Sequence, residues 1–376
     1  MAADPSYPLY PVLCIITAAF GLLALSTTFV RRSYNFGVAW LCLWLFVETL
    51  TNGINAIIWA DNDDVKLYVY CDIVTHLQVV GSVVKPMSTL LITRRLYLIA
   101  SLQSVELPSA RARRADLLMN WTLGLVAPLL VAGPLYYIVQ GVRFQVYEVF
   151  GCSSATVFSA TTILLVRSWS IIPPLISVLI YYPKVFSTFH RHSRDVNRFL
   201  RTNNSVSRTN YFRILVLASV DVVLTLPKAI VSLVFEILVL RELKPRPNFY
   251  PGWHFIHTDW DPIGVSYHEM KINGKFNFVE IYWDQWSPLV LALVLFVLFG
   301  LTGEARASYW RIACFVGWWF GWKPSARDRR VAALDTIEFG AQAQVSEPAL
   351  YADVGTPSSY VSSKTSAVGD REDKPV

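Results

Sequence analysis

Stretches of about twenty apolar residues recur seven times along this 376-residue chain, and nothing else in it narrows the fold so far. A helix needs about 20 such residues to cross roughly 30 Å of hydrocarbon. Within hydrocarbon only helices and closed barrels satisfy every backbone polar group. Residues 5–30 carry no charge, and Arg31 and Arg32 follow at once. Further spans are expected at about 36–59, 73–94, 117–139, 157–182, 212–239 and 284–302. The expected fold class is therefore all-α, a bundle of seven transmembrane helices over residues 1–302. Only 16% of the residues are charged and 54% are hydrophobic, whereas about a quarter of an ordinary soluble domain is charged. That excludes a soluble enzyme. The excess of 33 Lys and Arg over 27 Asp and Glu is too modest and too scattered for a nucleic-acid binder.

Direction follows from charge. Met1–Tyr7 carries only Asp4 and lacks the basic start of a cleaved signal peptide, so the first span is expected to stay, with the N-terminus outside. Seven spans then put the C-terminus inside. Loops that would face inside hold fourteen Lys and Arg up to Arg213, against seven outside, five of them in one long loop at about 241–283. This is the positive-inside asymmetry. Residues 303–330 mix Arg306 and Arg311 with many aromatics and read as a segment lying along the inner leaflet. Residues 331–376 hold three basic and seven acidic residues among Ser, Ala, Pro and Gly, and are expected to be a disordered cytoplasmic tail. No internal repeat relates the two halves, which speaks against a transporter built on such symmetry.

Cys71 and Cys152 are the two cysteines on the outer, oxidising side, and a disulfide between them is expected. Cys14 and Cys42 fall inside spans as small apolar residues, and Cys314 at the inner interface is a candidate for palmitoylation. Ionisable groups within spans are functional candidates by default. Here they are Glu48, Lys85, Arg167, Asp221, Lys228 and Glu236. Glu48 and Lys85 both lie about 18 Å from a span end, near mid-membrane. Pairs Glu48–Lys85 and Arg167–Glu236 follow, either as structural ties between helices or as the walls of a ligand cavity. Prolines recur in the spans, among them Pro86, Pro173, Pro174, Pro227 and Pro288; Pro227 marks a kink about which the inner half of the sixth span can swing. His254, His257 and His268 share the long loop without converging ligands, so no metal is expected. The last span has no Lys for a retinal Schiff base, and no nucleophile stands at helical spacing from a base; neither a cofactor nor an enzyme is expected. The sequons at Asn120 and Asn203 fall on the inner side and are expected to stay bare.

Seven spans, an outer disulfide and basic inner loops make a G-protein-coupled receptor the leading class. The animal rhodopsin-like signatures are absent: Thr93-Arg94-Arg95-Leu96-Tyr97 closes the third span, and the seventh has Trp286-Ser287-Pro288. Other blocks stand in order. They are Cys71-Asp72-Ile73 with Thr75-His76-Leu77, then Arg94-Arg95-Leu96-Tyr97-x-Ile99-Ala100-Ser101, then Tyr137-Ile138-Val139-Gln140-Gly141-x-Arg143-Phe144 with Glu148 and Gly151-Cys152. Pro173-Pro174, Ser207-Arg208-x-x-Tyr211-Phe212-Arg213, Trp286-x-Pro288, Phe299-Gly300 and Glu304-Ala305-Arg306-x-x-Tyr309 complete the set. Together they cover about residues 8–311. In these blocks the chain resembles the fungal mating-pheromone receptors that recognise lipidated peptides, the a-factor receptors of yeasts and the B-mating-type receptors of mushrooms. Lys85-Pro86, Arg167 and the long 241–283 loop depart from that pattern.

The resemblance implies a secreted peptide, farnesylated and methyl-esterified at its C-terminal Cys, as ligand outside, and a heterotrimeric G protein inside. It also implies a plasma-membrane location among membrane lipids; a homodimer is left open. Ligand-binding candidates are His76, Gln78, Arg143, Phe144, Glu148, Arg167, Glu236, Tyr282 and Trp283. Glu48, Lys85, Pro227 and Pro288 are candidates for the switch, and Arg94, Arg95, Arg208, Arg213 and Arg306 for the G-protein face. The alternative is a receptor-like or constitutively active homologue with another ligand; a transporter is the more distant one.

Overall fold

The computed structural model describes residues 4–30, 35–100, 110–191, 208–243, 249–272 and 275–302, with positions 305, 306, 309, 310 and 314. Side chains at 28–30, 99–100, 188–191, 208–211 and 239–243 are not described. The chain divides into units Met1–Pro324 and Ser325–Val376, and only the first contains described residues. The 331–376 tail, most of the 303–330 segment, the sequon at Asn203 and the side chain of Arg208 thus lie outside the described residues.

Among the described residues the first unit contains seven long helices: α1 Leu9–Val30, α2 Phe36–Ile58, α3 Tyr68–Ala100, α4 Ala110–Val139, α5 Ala160–Ser187, α6 Arg208–Leu243 and α7 Lys275–Gly300. Six of them are long and apolar enough to cross a membrane. The seventh, α3, has 33 residues but is more polar, with Asp72, His76, Gln78 and Lys85 on it. Its burial explains the polarity, since α3 packs against α2, α4, α5 and α6. α1 closes the ring against α2 and α7.

The start of α7 corrects the expected boundary at residue 284. No Gly or Pro interrupts residues 275–287, so nothing stops the helix there, and it begins at Lys275. Tyr282 and Trp283 are accordingly helical residues and not loop residues. Prolines in the other helices distort them locally. In α4, π turns at Thr122–Val126 and Val131–Leu135 flank Pro128 and contain Pro134. In α5, π turns at Ile163–Arg167 and Ser177–Tyr181 bracket Pro173 and Pro174. A proline leaves the carbonyl four residues earlier without its usual donor, and such local rewinding re-satisfies the ladder. Hydroxyls do the same work on themselves: Thr49 donates to the Leu45 carbonyl at 2.7 Å and Thr93 to that of Thr89 at 2.9 Å.

Between helices in lipid the hydrophobic effect supplies no drive, so close packing must. Gly37 of α2 shows how close: a Cβ there would lie 2.8 Å from Ile92 Cγ1 and 3.0 Å from the Ser88 carbonyl of α3. One buried cluster gathers Leu41, Ile92, Leu96, Leu217, Leu291 and Leu295 from α2, α3, α6 and α7. A second gathers Trp44, Val83, Met87, Val131 and Tyr136 from α2 to α4. Leu164, Leu179, Val223, Val231 and Val234 stand exposed on the outside of the bundle, as a lipid-facing surface requires.

One end of the bundle carries a cap. β1 (Gln145–Tyr147) and β2 (Gly151–Ser153) form an antiparallel hairpin, and β3 (Ile263–Val265) joins β1 in parallel, in the order β2-β1-β3. Cys71 at the start of α3 is bonded to Cys152 on β2, with Cα atoms 5.3 Å apart. Around this bond lie the fully buried Trp59, Phe144 and Val146. Gly151 makes the turn fit. Its φ is +72°, and a Cβ would come 2.6 Å from Trp59 Cε3 and 2.8 Å from Asn55 Cβ. Polar ties fasten the hairpin further: Val149 N–H donates to the Trp59 carbonyl at 2.7 Å, and Arg143 grips Asp72 with two hydrogen bonds of 2.9 and 2.6 Å.

The disulfide bridges an 81-residue separation, and cross-links over such loops stabilise by roughly 2–4 kcal/mol. The Cys71→Ser/Cys152→Ser protein is expected to melt several degrees lower than the parent in a detergent thermal-shift assay, and dithiothreitol should lower the parent in the same way.

Candidate functional site

Beneath the hairpin the helices enclose a cavity of about 250 Å³. Its walls come from α2, α3, α5, α6 and α7, and the stretch after Cys152 supplies Ser153, Ser154 and Thr156. Val79, Pro86, Val166, Leu224, Ala229 and Trp283 give it an apolar share of the wall. Ser82, Ser170, Thr225, Ser232 and Ser287 give hydroxyls, and Asn52, Gln78 and Gln285 give amides.

Three cations face this space, each tied to an acid on a neighbouring helix. Lys85 Nζ of α3 lies 2.7 Å from Glu48 Oε1 of α2, both largely buried. Lys228 of α6 sits between two acids of α7, at 2.9 Å from Asp284 and 3.3 Å from Glu280. Arg167 of α5 approaches Glu236 of α6 at 3.5 Å. Asp221 lies deeper and fully buried, and it accepts the Thr89 hydroxyl. Lys85, Lys228 and Arg167 are thus each held in a pair. Removing one partner of a buried pair costs about 3–5 kcal/mol, because it strands the other.

α6 and α7 are also joined through other polar groups. Ser232 donates to Glu280 Oε1 at 2.7 Å, and Trp283 Nε1 donates to the Leu224 carbonyl at 3.1 Å. Leu224 follows Val223, whose carbonyl Pro227 cannot satisfy for want of an N–H. The Trp283 indole therefore meets α6 where its ladder is weakest.

Of the residues singled out in the sequence, Gln78, Arg167 and Trp283 line the cavity, as do Glu48 and Lys85. Gln78 also holds the hairpin: Nε2 donates to the Cys152 carbonyl at 2.8 Å, and Oε1 accepts from the Ser154 N–H at 3.2 Å. Glu236 stands behind Arg167 and is itself 4% exposed. His76 bonds the Asp72 carbonyl at 2.7 Å and meets Tyr136 edge-on. Arg143 is engaged with Asp72, and Phe144 is fully buried in the cluster round the disulfide, so it presents no face to the cavity. Glu148 Oε2 accepts the Tyr267 N–H at 2.7 Å, joining the two loops of the cap. Burial, and behind it the Glu280 carboxylate, raise the neighbouring Tyr147 phenol above its ordinary value, which keeps it neutral. Tyr282 donates to Asp4 at 2.7 Å. The expected pairs Glu48–Lys85 and Arg167–Glu236 are thus formed, whereas His76, Arg143, Phe144, Glu148 and Tyr282 bind other parts of the protein. Glu280 and Asp284 were not singled out, because Glu280 fell in the expected loop and Asp284 at the first residue of the expected span; their spacing of four residues on one helix face was the available signal.

Pro227 and Pro288 lie inside α6 and α7. At the end away from the cap, Arg94 bonds Asp116 at 2.6 Å, and Arg95 and Arg213 lie on α3 and α6. Arg306 follows α7, its N–H donating to the Thr302 carbonyl at 2.9 Å. Among the described residues no group of three or more His, Cys, Asp or Glu could hold a metal ion. In the cap, His257 instead stacks between Trp253 and Trp260, with ring centroids 4.2 and 5.0 Å away.

Comparison with known proteins gives this architecture its place. The chain is similar to the Pheromone B alpha 2 receptor of Schizophyllum commune, 29% identical over 315 residues that cover 84% of this chain and 47% of that relative. It is similar to Pheromone receptor 2 of Mycosarcoma maydis, 26% identical over 80% of this chain and 84% of the relative. It is similar also to the Pheromone a factor receptor of Saccharomyces cerevisiae, 23% identical over 79% and 60%. The chain spans about half the length of the Schizophyllum relatives it matches. Residues 9–317, from the first helix past the seventh, match the family described as Pheromone A receptor. The chain is a multi-pass membrane protein and belongs to the Pheromone A receptor family.

Proposed function

We propose that this chain is a plasma-membrane receptor for a secreted, lipidated peptide pheromone, with the capped end outside and a heterotrimeric G protein engaged at the other. The observation that carries the reading is the cavity: in a chain of this family it lies under a disulfide-anchored hairpin, is lined by hydroxyls and ion pairs, and draws its walls from five of the seven helices. The positive-inside asymmetry supports this direction.

Physical chemistry divides the ligand into two parts. A prenyl chain gains about 0.8 kcal/mol per CH₂ on leaving water, and the bilayer supplies that gain as well as a protein pocket does. The lipid concentrates the ligand at the membrane, and the peptide is what the receptor reads. At about 250 Å³ the cavity is smaller than the roughly 300–1,000 Å³ that encloses a drug-sized ligand. It therefore admits one or two side chains, and the remainder of the peptide lies on the cap.

Moving a receptor from about 1% to 99% active takes roughly 5.5 kcal/mol of differential binding. The paired charges supply a route, since a ligand that rearranges one pair shifts helices against each other. Glu48 and Lys85 couple α2 to α3, and Lys228 couples α6 to α7 beside Pro227. Arg94, Arg95, Arg208, Arg213 and Arg306 form the G-protein face. The Ser- and Thr-rich run from Thr356 to Ser366 is a phosphorylation site for desensitisation.

The test is pheromone-pathway output in yeast whose own receptor is replaced by this chain, challenged with synthetic peptides of compatible mating partners. A dose-dependent response that disappears without the prenyl group is expected. Silence to all peptides with the protein at the cell surface would sink the reading, and high output without peptide would favour the constitutive homologue. For the mid-bundle pair, Lys85→Met alone should lower thermal stability by about 3–5 kcal/mol, and Lys85→Met/Glu48→Met should recover most of it. If the double variant is stable but no longer responds, the pair belongs to the switch; an unchanged response assigns it to packing.

A further inference from the structure

The three cations of the cavity are not equally engaged. Lys85 is 14% exposed and bonds Glu48 at 2.7 Å, and Lys228 is 19% exposed and shared between two carboxylates. Arg167 is 40% exposed, and its one ionic contact is Nε to Glu236 at 3.5 Å, beyond good hydrogen-bonding distance. Nε is itself buried and makes no hydrogen bond. A guanidinium carries five N–H donors in a planar fork that fits a carboxylate at two points. Arg143 shows in this same chain what a filled fork looks like, with bonds of 2.9 and 2.6 Å to Asp72. Arg167 has no such partner among the described residues.

Its placement is specific. Arg167 ends the π turn Ile163–Arg167. The extra residue of a π turn rotates the side chains that follow it, and such turns recur at functional sites. Here the side chain reaches the cavity wall beside Ser170, Ser232 and Lys228. Glu236, nearly buried behind it, fixes the guanidinium without occupying its open edge. The neighbouring acids Glu280 and Asp284 are already taken up by Lys228.

We propose that Arg167 is a specificity-determining residue that receives a carboxylate-bearing side chain of the peptide ligand inside the cavity. This rests on the peptide-receptor reading above. Glu236 holds the guanidinium in place on one side and the ligand carboxylate bonds its fork on the other, as Lys228 already sits between two acids. The cavity has room for the one or two side chains this requires. The Ser170 hydroxyl on the same wall is a further donor for that carboxylate, whereas Ser232 already donates to Glu280.

The probe is a library of farnesylated, methyl-esterified synthetic peptides randomised at single positions, read by pathway output in the yeast strain described above. For the parent receptor, activating peptides should be enriched in Asp or Glu at one position, and replacing that residue by its amide should lower potency about tenfold or more. The receptor with Arg167→Gln should lose that discrimination while keeping its surface level. The exchanged pair, Arg167→Glu with Glu236→Arg, keeps the tie between α5 and α6 and should prefer Lys or Arg at the same position. Activation of the parent without any acidic preference, or the same preference in Arg167→Gln, overturns the proposal and leaves the receptor reading intact. Silence of the parent toward the whole library, with the protein at the surface, overturns the receptor reading and this proposal with it.

Discussion

A charge placed in hydrocarbon is costly until it meets its opposite within the bundle, and the way α2, α3, α5, α6 and α7 face one another follows from that. Glu48 with Lys85, Arg167 with Glu236, and Lys228 with Glu280 and Asp284 join α2 to α3, α5 to α6 and α6 to α7. Leucines and valines facing one another across helices in lipid lack the hydrophobic drive that would choose one register over another. Ion pairs choose. A helix turned by one residue, about 100°, would carry its charge to the lipid side. The charged residues therefore specify the rotation of α2, α3, α5, α6 and α7, and the small residues at contacts such as Gly37 allow the distance.

The cap obeys a different rule because it lies at the end of the bundle. Its strands are three residues long, too short to persist alone. A covalent bond at Cys152, the Arg143–Asp72 fork, the Gln78 and Asn55 amides on the Cys152 carbonyl, and Glu148 on the Tyr267 N–H hold them. Most polar side chains of the hairpin are thereby committed to structure. The space below is less committed, since hydroxyls and an incompletely engaged guanidinium face the cavity there.

Much of this could be read from the chain alone, for a clear reason. Twenty apolar residues in a row have one solution in a bilayer, so helix number and sites were legible, and depth along a span was enough to bring Glu48 to Lys85 and Arg167 to Glu236. The beginning of α7 was not, because Lys275 and Glu280 among Tyr and Trp look like a wet loop until Lys228 on α6 is seen to neutralise Glu280 and Asp284. The three-stranded sheet was hidden as well. Strands of three residues show no alternation, and β3 comes from a segment more than a hundred residues beyond β1. Phe144, Glu148 and Arg143 drew notice as recognition residues because an aromatic and charges in an outer loop suggest a ligand. Their partners Asp72 and Tyr267 lie in other parts of the sequence, and no local pattern connects them.

The contacts between α6 and α7 deserve a mechanical reading. Trp283 on Leu224, Lys228 on Asp284 and Glu280, and Ser232 on Glu280 rise up one seam like the teeth of a zipper, from the Pro227 distortion toward the cap. Opening that seam means breaking several charge-assisted bonds at once in a medium that offers no replacement. Over this length the two helices have less freedom to part than to tilt together. Pro227 lies at the foot of the seam and Pro288 just beyond Asp284. Joined in this way, the two helices have the stiffness of a two-helix beam and not that of separate rods.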